Sequence, residues 1–83
     1  MKAVYFAWVR ERVGKHEENI APPASVITVA DLLGWLKGQG EEYEYAFENA
    51  KVIRVAIDQT HVKHDAPIAG AREIAFFPPM TGG

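Results

Sequence analysis

The chain has 83 residues, a single-domain length, with 48% apolar residues, 11% aromatics and a formal net charge of −2. That composition excludes a disordered segment, and the near-balanced charge gives no support to nucleic acid or an anionic membrane as a main partner. The absence of cysteine excludes disulfides, thiolate metal sites and a thiol nucleophile.

Taken in chain order, KAVYFAWV, Lys2 to Val9, reads as a strand rich in β-branched and aromatic residues. It is apolar on both parities, with Ala3, Tyr5, Ala7 and Val9 on one face and Val4, Phe6 and Trp8 on the other. Such a strand is either covered on both faces or meets a partner with its outer one. RERVGK reads as a short helical or turn segment closed by Gly14, and HEENIAPP as a weak second strand stopped by Pro22 and Pro23.

The main helix follows. Thr28 is an N-cap with Asp31 three residues later, close to a capping box. Val29, Leu32, Leu33 and Leu36 fall on one helical face, and Lys37 and Gly38 mark the stop. Gly34 costs about 1 kcal/mol inside this helix and is expected to permit close approach to the sheet. GEEYEYAFENA reads as a second short, acidic helix. VIRVAID, Val52 to Asp58, alternates with Ile53, Val55 and Ile57 inward. Asp58-Gln59 is a hairpin turn into a short strand, Thr60 to Lys63, and a loop leads to the last strand, REIAFF, Arg72 to Phe77. Strand pair, helix, then further strands make an α+β arrangement that fits a β-grasp roll among other folds, with a mixed sheet and one main helix on one face. The expected organisation is a domain over residues 1–77 and an extended tail over 78–83.

The tail, FFPPMTGG, is the most specific stretch. Pro78 and Pro79 lack N–H donors, so they cannot continue a sheet ladder. Gly82 and Gly83 have no Cβ to obstruct a narrow channel. By parity, Ile74 and Phe76 face the core, and Phe77 faces outward beside the tail. Phe77 is expected to join Phe6 in an exposed apolar patch fit for a protein interface. Several residues keep two readings. Phe6 is as well explained by core packing, and Arg10 and Arg12 by a solvated basic turn. His61 and His64, with Asp58 and Asp65, do not share one face and read as solvated hairpin residues rather than metal ligands. EEYEY reads as an exposed acidic helix, and Trp35 as the cover of a core edge.

EIAFFPPMTGG, YFAWVRE and TVADLLGWL together resemble the small, sulfur-carrying subunits of molybdopterin synthase, which are ubiquitin-like β-grasp proteins of about this size. The resemblance covers nearly the whole chain. It implies that the Gly83 carboxylate is adenylated by a partner related to ubiquitin-activating enzymes, which uses ATP, and is then converted to a thiocarboxylate with a sulfur donor. It further implies that Pro78, Pro79, Met80, Thr81 and Gly82 dock the tail into the large synthase subunit. There the sulfur builds the molybdopterin dithiolene, in an assembly of two small and two large subunits. Phe77, Phe6, Arg10 and His61 would belong to the partner surface. In QTHV this chain carries His61 where such proteins tend to have an aliphatic residue. The carrier would bind no cofactor, perform no catalysis alone, and work in the cytoplasm. The same tail also suits a sulfur carrier for thiazole or tRNA thiolation, a ubiquitin-like modifier, or a β-grasp interaction module that is never activated.

Overall fold

The first strand is short because its hydrogen-bonding partners run out. In the computed structural model, which describes residues 1–79, β1 spans Lys2–Tyr5 and helix α1 spans Ala7–Val13. β1 pairs in parallel with β5 (Glu73–Phe77) as far as Tyr5↔Phe76, and antiparallel with β2 (Glu17–Asn19) only from Lys2↔Asn19 to Val4↔Glu17. The Phe6 N–H reaches the Phe76 carbonyl at 3.1 Å, and beyond it no ladder continues. Ala7 takes φ +52°, a left-handed conformation unusual for alanine, and the chain turns over into α1. The strand expected to reach Val9 therefore stops four residues early. Val9 and Val13, one helical turn apart, are buried instead, and Trp8 packs at the edge of the core. The expected stop at Gly14 holds, with φ +84° and its N–H on the Arg10 carbonyl at 2.8 Å.

Helix α2, Val29–Lys37, forms as its sequence dictates. Thr28 Oγ1 accepts from the Asp31 N–H at 3.2 Å, and the Asp31 carboxylate accepts from the N–H groups of Thr28 and Ile27, each at 3.1 Å. These bonds hold the Asp31 carboxyl below the ordinary carboxylate range. The next two donors, the N–H groups of Val29 and Ala30, reach the carbonyls of Ala66 and His64. The loop before β5 thus satisfies helix-end groups that would otherwise lack partners. Val29, Leu32, Leu33 and Leu36 are all buried. Gly34 is a correction. It lies on the exposed face, and a Cβ there would meet nothing within 4 Å, so no close approach requires it.

Helix α3, Glu41–Ala46, is followed by a 3₁₀ turn over Ala50–Val52, so the third strand begins later than the alternation suggests, as β3 at Arg54–Ile57. Asp58 and Gln59, at φ +47° and +72°, make the tight hairpin into β4, Thr60–Val62. The Asp58 carboxylate also accepts from the N–H groups of Arg72 and Glu73, at 3.1 and 2.9 Å, and so fixes the start of β5.

The sheet order is β2-β1-β5-β3-β4, parallel only at β1 and β5. Its inner face carries Ala3, Tyr5, Ile74, Phe76 and Val55, all buried with the apolar residues of the helices. Tyr5 stacks on Phe76 at 5.7 Å, and Phe47 meets Phe76 edge-on at 5.4 Å. The result is a mixed sheet with its main helix on one face, the α+β β-grasp roll. β5 ends at Phe77, and Pro78 and Pro79 have no regular structure. The expected docking residues Met80, Thr81, Gly82 and Gly83 lie outside the described residues.

Candidate functional site

The strand pairings that bury Phe76 put Phe77 on the opposite face, because successive side chains alternate across a strand. The register sets Val4, Ala75, Ala56 and His61 side by side there, with Arg54 beside Phe77. Ala75 and Ala56 are small enough to be covered by their neighbours. The larger side chains stand at one end of the face. Phe6 and Phe77 lie ring on ring, 4.5 Å apart and 7° from parallel. The His61 ring is 5.6 Å from Phe77, tilted by 37°. Phe6 is 39% exposed although it is a large apolar residue at the start of a helix. Its extended backbone, just before the left-handed Ala7, leaves its ring on Phe77 at the sheet end rather than in the core.

Phe6, Ala7, Arg54, His61, Phe77, Pro78 and Pro79 line an open depression of about 880 Å³. The structure thus brings together five residues singled out from the sequence: Phe6, Phe77, Pro78, Pro79 and His61. Phe6 does not take the core position that was its alternative reading. Arg10 does not line the depression. It lies one helical turn beyond Phe6, exposed, with Nη1 3.4 Å from His16 Nδ1. Two residues of the depression had not been anticipated. Arg54 could have been found by parity, since Ile53 and Val55 point inward. Ala7 could not, because nothing local announces its left-handed turn. Chemically, this end of the sheet offers flat apolar area, a rigid proline step and one guanidinium, which suits gripping a partner.

His64 and Asp58 have structural uses. His64 Nε2 lies 2.7 Å from the Ile53 carbonyl, and Asp58 holds the start of β5. A polar cluster that the sequence did not reveal sits away from the depression. The Glu18 carboxylate accepts from the hydroxyls of Tyr43, at 2.6 Å, and Tyr5, at 2.8 Å, and from Lys15 at 3.1 Å. Burial works to raise the Glu18 pKa, but the bonds from Tyr43, Tyr5 and Lys15 outweigh it and lower it. Burial, then the Glu18 bond, pushes the Tyr5 hydroxyl up, so it stays a neutral donor. Arg12 is also tied down. Its guanidinium lies 4.0 Å from the Tyr45 ring and 4.4 Å from the Trp8 ring, and pairs with Glu48 at 3.3 Å. These contacts join α1 to α3, so EEYEY is only partly the exposed acidic helix expected: Tyr43 is buried.

The chain is similar over its full length to proteins of known role. It is 39% identical over 83 residues to the molybdopterin synthase sulfur carrier subunit of Escherichia coli (strain K12), covering 100% of this chain and 99% of that one. The subunit of the same description from Haemophilus influenzae is 32% identical over the same length, with the same coverage. Among solved structures, SAMP1 from Haloferax volcanii superposes with a TM-score of 0.72 at 25% identity, covering 100% of this chain and 98% of its own. The sequence model of the ThiS family matches residues 3–83. From that match, and from relatives this close over this length, the chain belongs to the ThiS family.

Proposed function

We propose that the protein is the sulfur carrier subunit of a molybdopterin synthase, with the carbonyl carbon of Gly83 as the site that bears sulfur. The observation that carries the reading is full-length similarity, at 39% identity, to a carrier of that description. The stacked Phe6–Phe77 pair beside the root of FFPPMTGG supports it, since a carrier has to be gripped where its tail departs.

A carboxylate is a poor electrophile at neutral pH. In the proposed sequence a carboxylate oxygen of Gly83 attacks the α-phosphorus of ATP on an activating enzyme, and pyrophosphate leaves. Hydrosulfide released by the donor then attacks the acyl carbon, AMP leaves, and loss of the S–H proton gives the thiocarboxylate. Gly83 and Gly82 present no side chain to hinder either attack. Six residues from Pro78 onward reach roughly 20 Å when extended, enough to carry the acyl carbon from the domain into the large subunit. Pro78 and Pro79 stiffen the base of that tail and reduce the ordering cost of insertion. Every catalytic group of the cycle belongs to partners. Phe77, Phe6 and His61 make the docking surface, and Arg10, one turn from Phe6, borders it.

Intact mass spectrometry tests this directly. After incubation with activating enzyme, ATP and a sulfur donor, replacement of O by S at the terminal acyl carbon adds about 16 Da. A second reading, a protein modifier, is favoured by the likeness to a small archaeal modifier protein. It predicts isopeptide-linked adducts on lysines in place of a chain 16 Da heavier, a shift of roughly the same O-to-S origin.

A further inference from the structure

Pro79, the last described residue, borders two depressions, and both have the same electrostatic character. Arg54 and His61 stand at the rim of the aromatic one. A second, about 390 Å³, adjoins it and is lined by Lys51, Arg54, Lys63 and His64 among apolar neighbours. Among the described residues, no aspartate or glutamate lines either of them. Lys51, Arg54 and Lys63 are all exposed, and among the described residues none of them forms an ion pair. The contrast with Lys2, Arg12 and Lys15 is clear, because each of those is held by a glutamate. Meanwhile the chain as a whole carries a net charge of −2, and acidic side chains gather elsewhere, as at Glu41, Glu42 and Glu44 of α3. The 3₁₀ turn, β3 and the residue after β4, one stretch folded back on itself as a hairpin, thus set cations without an ion pair among the described residues beside Pro79, where the tail leaves the domain.

We propose that Lys51, Arg54 and Lys63 form a basic collar around the root of the tail, and that it docks on an acidic rim surrounding the tail channel of the synthase large subunit. The inference rests on the carrier reading and adds the chemistry of the surface that receives it. A protein fits better than a nucleic acid. The collar borders an apolar centre, Phe6 and Phe77, which is the anatomy of a protein interface with its charged rim. The two rings also spend their facing surfaces on each other rather than offering them to bases. On a net-negative domain, such a collar orients the approach. It brings the tail end first toward an acidic mouth and repels a partner that meets the domain at α3. Rim charges act chiefly on the association rate and its salt dependence, so that is where the collar shows itself.

The test is stopped-flow association of the full chain with the large subunit from the same organism, across about 50 to 500 mM salt. The comparison is with Lys51→Glu/Lys63→Glu and with Lys37→Glu, a change at the far end of α2. The wild type and K37E are expected to slow by about tenfold or more across that range. The double variant is expected to start about tenfold slower at low salt and to show little further change, with its melting temperature unaltered. Equal salt slopes for wild type and double variant overturn the collar while leaving the carrier reading intact. Failure of the wild type to bind the large subunit at all overturns the carrier reading, and the collar with it. Salt-sensitive binding of a single-stranded RNA oligonucleotide, lost in the double variant, overturns the assignment of the collar to an acidic protein.

Discussion

Phe76 and Phe77 are adjacent, chemically identical and in the same strand, yet they do opposite work. Phe76 is fully buried against Tyr5 and Phe47. Phe77 lies on the other face, stacked on a Phe6 that is itself open to solvent. The inner face of the sheet spends its aromatics on stability, whereas the outer end keeps its aromatics available. One step of strand alternation separates the two uses, so a one-residue slip of β5 would exchange them.

The sharpest way to break this contrast is to truncate each ring. Phe76→Ala should cost about 3–5 kcal/mol in urea unfolding, enough to unfold much of so small a domain. Phe77→Ala should cost less than about 1 kcal/mol of stability, but weaken binding to the large subunit by about tenfold or more, measured by calorimetry. If the two variants lost stability equally, the outer pair would be structural and the division between the faces would fail.

A second comparison tests the rim of the inner face. Glu18→Gln leaves the hydroxyls of Tyr5 and Tyr43 with a weaker acceptor and breaks the charge pair with Lys15, at a cost of about 1–2 kcal/mol. The Glu18 pKa is lowered by folding, so its contribution is fully present above the ordinary glutamate value, about 4.3, and is lost as pH falls through the lower folded value. Acid titration of unfolding free energy should therefore decline below about pH 4 in the wild type and decline less steeply in the glutamine variant. Asp31, whose pKa is also lowered, supplies the decline that remains. Glu18→Gln should not affect partner binding at neutral pH, because the cluster lies away from Phe6 and Phe77.

The smallest effect has the opposite sign. Gly34→Ala should stabilise by about 0.5–1 kcal/mol and raise the melting temperature by a few degrees, since the site is exposed and has room for a methyl group. A loss of stability there would restore the expectation of a close contact at Gly34.

Much of the fold was legible because it is written in local patterns. The Thr28–Asp31 cap, the stripe from Val29 to Leu36, the Asp58-Gln59 turn and the parity of Ile74, Phe76 and Phe77 each depend on neighbours a few residues away, and each appears as expected. The outward side of Phe77 followed from the same alternation, although Phe77 is half-buried beneath Phe6 rather than fully exposed as expected. What failed were the features decided by distant segments. KAVYFAWV has the composition of an eight-residue strand, but β2 and β5 supply partners only as far as Phe6, so Val9 is buried by a helix. Local propensity is a weak preference, and hydrogen bonds from distant strands outweigh it. The Glu18 cluster joins residues 13 and 25 positions apart, and no sequence period points to it. The convergence of Lys51, Arg54 and Lys63 around Pro79 is of the same kind. By itself, then, the sequence determined which face residues present wherever the element was read correctly, as along α2 and β5, because side-chain direction follows from backbone geometry alone. Only the tertiary structure decided where strands end and which charges meet, because those depend on which distant backbone groups remain to be paired.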